Sequence, residues 1–154
     1  MLITNITTVS KILERLALAR LKPDIVSSPN YCPLQSAYRA AHSTETALVR
    51  MVNDILGCIN SGSVVAMVGL DISVAFDMVS HQVLISLLEF GICSPSLDWM
   101  ASHLSDRSVS VRHGTASAAV LVHAGVPQGS ILGPVLFTTY LSPFGRLMER
   151  HSIY

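Results

Sequence analysis

Apolar residues recur at steps of three and four near the start of the chain, a spacing typical of an amphipathic helix. They follow Thr8 and share one predicted face: Val9, Ile12, Leu13, Leu16 and Ala19. Charged residues share the opposite face: Lys11, Glu14 and Arg15. Pro23 is expected to stop this helix, because proline lacks the N–H that a helix interior uses.

A segment rich in proline and serine, residues 22–33, predicts an exposed connection to a second helix. Ser43 is a suitable N-cap for that helix, and the residues from Asn60 to Gly62 would end it. Its apolar positions fall on one face: Leu48, Met51, Val52, Ile55 and Ile59.

The hydrophobic period changes at residue 63. Ser63–Ile72 is a continuous run of β-branched and other apolar residues, which is typical of a strand buried on both faces. Such a strand would carry Asp71 at its carboxyl end.

Three more helices and a hairpin are predicted beyond this run. Ser80 is the expected cap of one helix, Ser94 with Pro95 the expected start of the next, and the last helix spans about 134–141. Between them, residues 108–113 and 118–123 alternate around a glycine turn and predict a hairpin. The order of elements indicates an α+β or mixed α/β fold without a regular βαβ repeat, and α+β is the class predicted here.

Composition narrows the class of protein. Half of the 154 residues are apolar, 13% are charged and the mean hydropathy is +0.50, which excludes a disordered or collagen-like chain. Every apolar stretch is interrupted well short of about 18 residues, so no membrane span is predicted, and no secretory signal is visible. The low fraction of charged residues then indicates that part of the apolar surface of this chain is normally covered by another protein surface, which the chain itself lacks.

The zero net charge conceals an uneven distribution. Residues 1–50 carry six basic and three acidic side chains, residues 51–106 carry six acidic and no basic ones, and residues 107–154 carry four basic and one acidic. This layout suits a central cation site between flanks that meet a polyanion, although chance also gives such a split. The three cysteines lack metal-ligand spacing and are expected to be reduced thiols.

Asp71 is the first candidate for chemistry, because the carboxyl end of a buried strand commonly opens to a ligand crevice. Two interpretations remain open from the residues alone. The carboxylate either caps the next turn or binds Mg²⁺, and a Mg²⁺ site needs more oxygen ligands than Asp71 supplies.

The second candidate is the segment from Gly125 to Ser130, in which two glycines bracket Pro127 and Gln128. It is either an ordinary tight turn or a loop whose backbone approaches a flat or anionic ligand, phosphate included. It lacks the lysine of a P-loop.

Three segments stand out together: QSAYRAAHSTETAL (35–48), LDISVAFDMVSH (70–81) and AGVPQGSILGPVLF (124–137). In this order and spacing they resemble the reverse transcriptase domain of retrotransposons without long terminal repeats. Two further segments agree with that family, SKILERLALARL (10–21) and HLSDRSVSVRHG (103–114), so the resemblance covers nearly the whole chain.

The resemblance implies a right-hand polymerase fold of fingers, palm and thumb. About 1–62 would be a fingers-like helical region and about 63–154 a partial palm with a fingers-like insertion, without a thumb. It also implies DNA synthesis on an RNA template from a DNA primer and deoxynucleoside triphosphates, with two Mg²⁺ ions, in the nucleus or cytoplasm.

The family's roles carry over by position. Asp71 matches the first metal-binding, catalytic aspartate, and the carbonyl of Ile72 would be a further metal ligand. Phe76 matches the aromatic beneath the sugar, which excludes a ribose 2′-OH by steric clash. Asp77 and His81 match positions whose role is interpreted as structural.

Gln128 and Gly129 match the loop that positions the templating base and the incoming nucleotide. Arg39 falls in the fingers segment and is expected to contact the triphosphate, a task that suits its guanidinium fork. Ala40 and Ala41 stand where such segments often carry basic residues.

One family motif has no match here. The family places a Tyr/Phe-Ala-Asp-Asp turn beyond the segment resembling 142–154, and the sequence contains no Asp-Asp pair. The resemblance thus implies part of an RNA-directed DNA polymerase that is inactive alone. The alternative is a decayed or domesticated, non-catalytic module that binds nucleic acid or protein.

Overall fold

The structure, a computed structural model, describes residues 6–89, 91–113, 116–127 and 129–151. Its elements follow in the order α1 (Thr8–Ser27), α2 (Thr44–Asn60), α3 (His81–Leu88), α4 (Ser94–Leu104), β1 (Ser108–His113), β2 (Ala116–Leu121) and α5 (Gly133–Arg150). This mixture of helices and sheet confirms the α+β prediction. Within the described ranges no helix is both long and apolar enough to cross a bilayer.

The hydrophobic core lies between α1, α3, α4 and α5. Its buried side chains come from these helices and the loops that join them: Leu21, Ile25, Val79, Leu84, Leu88, Ile92, Met100, Leu104, Val126, Leu132, Val135 and Leu136. Full burial of one such side chain stabilises the fold by about 1.5–3 kcal/mol. The core therefore fixes the four helices relative to the loop that enters α5.

The predicted orientation of α1 is wrong. Leu13 and Leu16 are more than half exposed, whereas Glu14 is only 1% exposed. Leu21 and Ile25 are buried, and a residue seven or eleven positions earlier on a helix lies on the same face. Their burial therefore rotates Glu14 inward, and the more apolar stripe of the helix faces outward.

Two helices also continue past a proline and beyond their predicted ends. Pro23 lies inside α1, and Pro143 lies inside α5, which was predicted to end near residue 141. In each case a residue beside the proline is buried, Ile25 after Pro23 and Ser142 before Pro143. A proline inside a helix costs about 3 kcal/mol, through the lost backbone hydrogen bond and the clash of its ring with the preceding turn, and the fold tolerates this cost at both places.

The prediction that Ser63–Ile72 is a buried strand is also wrong. The segment forms no strand, and its side chains are exposed, up to 99% at Val64. A strand is held by hydrogen bonds to a neighbouring strand. The only sheet in the described part of the chain is the β1–β2 pair, which leaves this apolar run without a partner.

Local predictions of helix starts and of the hairpin are confirmed with small shifts. The strands β1 and β2 are antiparallel, with Val109 opposite Val120, and β2 begins at Ala116 rather than Ala118. The N-cap of α4 is Cys93, one residue before the predicted Ser94. The predicted turn at Gly114 lies outside the described residues.

The predicted cap of α2 is confirmed. The Ser43 hydroxyl accepts a hydrogen bond from the Thr46 N–H, and the Thr46 hydroxyl accepts one from the Ser43 N–H. None of the residues of α2 is buried. Its apolar face is therefore left without a packing partner in the described part of the chain.

Candidate functional site

The segment after Asp71 turns sharply. Val74 has a φ of +55°, in the left-handed region that costs an L-residue about 1–2 kcal/mol, and the Asp77 N–H donates to its carbonyl at 2.9 Å. The turn leaves Asp71 exposed and directs Phe76 inward. There the ring of Phe76 stacks on Phe137 of α5, with 4.8 Å between the ring centroids.

The loop from Ala124 to Pro127 docks onto this turn through its backbone. The Val126 N–H donates to the Phe76 carbonyl at 2.9 Å, and the Gly125 N–H donates to the Val79 carbonyl at 2.7 Å. Gly125 has a φ of +94°, and a Cβ there would lie 3.1 Å from the Asp77 Cα. Glycine is therefore required where the two segments meet.

His81 adds a side-chain bond to the same junction. Its Nε2 lies 2.7 Å from the Gly125 carbonyl, which can only accept, so Nε2 carries the proton and donates. The bond fits the structural role expected for His81.

At the other end of the loop, Ser130 organises the start of α5. Its Oγ accepts from the N–H groups of Leu132 and Gly133 at 3.2 and 3.1 Å, and donates to Glu14 Oε2 at 2.8 Å. The Ile131 N–H also donates to Glu14 Oε2, at 2.7 Å. The N–H groups at this helix start therefore already donate hydrogen bonds to protein oxygens. Because they are not free to bind a phosphate, this argues against the alternative that phosphate binds here.

Glu14 was missed by sequence reasoning because its charge suggested a solvent-facing position. The signal that could have found it is its spacing of seven from Leu21 and eleven from Ile25, both apolar. That spacing places all three on one face of a helix.

The second carboxylate oxygen of Glu14, Oε1, faces a small cluster formed by Trp99 and His103 of α4 and by Arg107, which follows α4. Oε1 is buried, has no hydrogen-bond partner among the described residues and lies 3.8 Å from His103 Nε2. The Arg107 guanidinium is 3.5 Å from the same nitrogen, and the Trp99 ring stacks on the imidazole at 5.2 Å. Burial, helped by the positive charge of Arg107, lowers the pKa of His103, and the Glu14 carboxylate opposes that shift. Burial also lowers the pKa of Arg107, and the negative charge of Glu14 partly opposes this shift by raising the pKa.

We expect His103 to take up its proton only below its ordinary pKa of 6.5. Because the pKa is lowered in the folded state, its contribution to stability is complete above pH 6.5 and is lost as the pH falls through the folded-state pKa. Trp99 is the only tryptophan and stacks on His103, so its fluorescence against pH reports the protonation.

Glu14→Gln should move that midpoint to lower pH, since it removes the charge that favours protonated His103. His103→Gln is the control that should abolish the titration. A midpoint at or above 6.5, or one unchanged in Glu14→Gln, contradicts this assignment.

The other predicted site residues lie on the surface or in separate segments. Asp71 and Ile72 are exposed, and Gly129 is exposed with a φ of +91°. Arg39 donates from Nη1 to the Pro33 carbonyl at 2.6 Å, within its own segment. Gln128 lies outside the described residues. The described contacts thus join Phe76, but not Arg39, to the loop.

A two-metal site needs carboxylates from more than one place in the chain. Within the described ranges no group of three His, Cys, Asp or Glu side chains is arranged to hold an ion. With Asp71 exposed and no such group around it, the described residues do not fit a complete two-metal site.

Comparison with known proteins places the chain in a family. Residues 1–154 match the family described as reverse transcriptase (RNA-dependent DNA polymerase). Two Drosophila melanogaster proteins are similar over 140 residues, 90% of this chain: the probable RNA-directed DNA polymerases from transposon BS, 34% identical, and from transposon X-element, 36% identical. The polymerase from mobile element jockey of Drosophila funebris is 33% identical over 135 residues, 86% of the chain.

The chain spans 15% of the length of these relatives. The match nevertheless extends over all of its residues, and the named relatives are polymerases from transposons or mobile elements. The chain therefore belongs to the reverse transcriptase (RNA-dependent DNA polymerase) family, which confirms the predicted resemblance to that domain of retrotransposons without long terminal repeats.

Proposed function

We propose that this chain forms the nucleotide- and template-facing part of a retrotransposon RNA-directed DNA polymerase, which carries out templated deoxynucleotidyl transfer. The observation that carries the proposal is the docking of the 124–127 loop on the turn at 76–81. Two segments that resemble core polymerase motifs, more than forty residues apart, are thereby joined through their backbones. In this proposal about 1–62 belong to the fingers and about 63–154 to a partial palm.

On the palm side, Asp71 and the carbonyl of Ile72 would contribute ligands to Mg²⁺. Their exposure leaves both accessible to an ion and to substrate. Phe76 would lie beneath the sugar of the incoming nucleotide and exclude a 2′-OH. Its stacking on Phe137 supports this role, because a ring that excludes by steric clash must be held in place.

On the loop side, Gln128 and Gly129 would position the templating base and the incoming nucleotide. The exposed backbone of Gly129 has no side chain to keep a flat base away. Arg39 would contact the triphosphate. Its bond to Pro33 uses one of the five N–H donors of a guanidinium, which leaves others for phosphate oxygens.

A binding experiment tests the proposal. We expect the chain to bind a labelled RNA template annealed to a DNA primer, measured by fluorescence anisotropy, with affinity that falls as salt rises. Arg39→Ala should weaken binding and reduce the slope of log K against log salt by about one if Arg39 contacts a phosphate. Arg150→Ala, at the exposed end of α5, is the matched control. Absence of binding at low salt contradicts the proposal.

A non-catalytic binding module is the second candidate, favoured by the lack of a clustered carboxylate site in the described residues. Adding Mg²⁺ and the complementary deoxynucleotide to the binding assay distinguishes the two. A polymerase part should bind template and primer more tightly with both present, and Asp71→Ala should remove that gain. A binding module should show no gain in either form.

A further inference from the structure

Glu14 is an unusual residue to bury. It is 1% exposed and lies on the face of α1 that carries Leu21 and Ile25 into the core. An ionised carboxylate taken out of water costs several kcal/mol unless it is paired or hydrogen-bonded. Its hydrogen-bonding partners are 116 and 117 residues away in sequence, at Ser130 and Ile131.

These bonds attach α1 to the point where the loop becomes α5. The Ser130 hydroxyl donates a hydrogen bond to Glu14 Oε2, and its oxygen accepts hydrogen bonds from the N–H groups of Leu132, the N-cap of α5, and of Gly133, its first residue. The carboxylate charge therefore lies at the start of an 18-residue helix, where the helix dipole favours an anion. A neutral residue at position 14 could pack against the core but would lack this charge.

The loop is consequently held from both sides. At its amino end Gly125 and Val126 bond to the 76–79 backbone, and at its carboxyl end Ser130 and Ile131 bond to Glu14. We infer that Glu14 is a positioning residue, which fixes the carboxyl end of the loop at residues 130–131 and so sets where the neighbouring Gly129, proposed to position template and nucleotide, lies. The anchoring itself does not depend on the proposed function, whereas its effect on template binding does.

Hydrogen exchange of individual amides in the folded chain tests the anchoring. Glu14→Ala should speed exchange at the Ile131 N–H by about tenfold or more, the factor that corresponds to a lost hydrogen bond to a charged group. Amides in the middle of α3, away from the loop, should change less. Glu14→Gln keeps an oxygen that can accept both bonds and should retain most of the protection, and Glu149→Ala, an exposed glutamate of α5, should change neither region.

Three outcomes overturn the inference: unchanged exchange at Ile131 in Glu14→Ala, equal acceleration throughout the chain, or the same loss in Glu14→Gln as in Glu14→Ala. If Glu14→Ala does not fold, Ser130→Ala decides. Selective loss of protection at Ile131, whose N–H bonds to Glu14 and not to Ser130, then supports the anchoring, and unchanged protection at Ile131 contradicts it. When both variants fold, the double variant should show less than the sum of their effects at Ile131.

Template–primer affinity supplies the functional readout. If the wild-type chain binds the RNA–DNA hybrid, Glu14→Ala should weaken that binding at least threefold and Glu14→Gln should restore it to within about twofold of wild type, an effect below 1 kcal/mol. Equal affinity of Glu14→Ala and wild type overturns the effect on template binding. If the wild-type chain does not bind, the proposed function fails, and hydrogen exchange still decides whether Glu14 anchors the loop.

Discussion

Purified chain incubated with an RNA template, a DNA primer, deoxynucleotides and Mg²⁺ is expected to give no primer extension. Two Mg²⁺ ions about 3.5–4 Å apart repel each other and need several carboxylate oxygens to hold them. Asp71 supplies one negative charge, the sequence contains no Asp-Asp pair, and no acidic cluster is present within the described ranges. The other nearby acid in sequence, Asp77, lies past the turn, with its backbone against the loop.

Product is measured on a denaturing gel, beside Asp71→Ala as the control. Extension by the wild-type chain that disappears in Asp71→Ala would show that the chain assembles a working site, for example by associating with a second copy. That result would contradict the argument from the incomplete set of carboxylates.

Leu84→Ala is expected to lower the free energy of unfolding by about 2–5 kcal/mol, because it removes a fully buried side chain from the core and leaves a cavity. Leu84 is 0% exposed on α3. Leu70→Ala removes the same atoms from the segment that was predicted to be a buried strand, where Leu70 is 67% exposed. It should change the free energy of unfolding by less than about 0.5 kcal/mol.

Denaturant unfolding followed by circular dichroism measures both variants against wild type. Because the two substitutions are chemically identical, the comparison depends only on the surroundings of the two leucines. A loss in Leu70→Ala as large as that in Leu84→Ala would show that residues 63–72 are buried in solution, as the sequence pattern predicted.

Features with a local cause were predictable from the sequence. Ser43 begins α2 because its side chain and that of Thr46 satisfy each other's backbone groups, and both residues are close in sequence. The β1–β2 hairpin likewise follows from alternation around a short turn. The site segments were found by their motifs, and the order of the motifs also predicted that the loop at 124–130 lies near Asp71, but the backbone bonds that join 124–127 to 76–81 depend on tertiary contacts.

Features that depend on tertiary contacts were not predictable. The orientation of α1 depends on which of its faces packs against the core. The less apolar face is buried because Ser130 and Ile131 donate hydrogen bonds to the Glu14 carboxylate on that face. Conversely, the apolar run at 63–72 has the composition of a strand but no neighbour to pair with in the described chain. The hydrophobic pattern shows which secondary structure a segment can form, and the neighbouring segments available for pairing decide whether it forms.

The helix α2 has hydrogen-bonded caps at both ends but contributes no residue to the core. Its stability is therefore separate from that of the rest of the molecule. Its 17 residues only slightly exceed the length of about 12–15 below which isolated helices are marginal in water. The exposed Arg50–Asp54 pair adds a few tenths of a kcal/mol. Because α2 places no side chain in the core, it should unfold as a separate unit while the four core helices remain folded. Each such unfolding and refolding event should take about a microsecond.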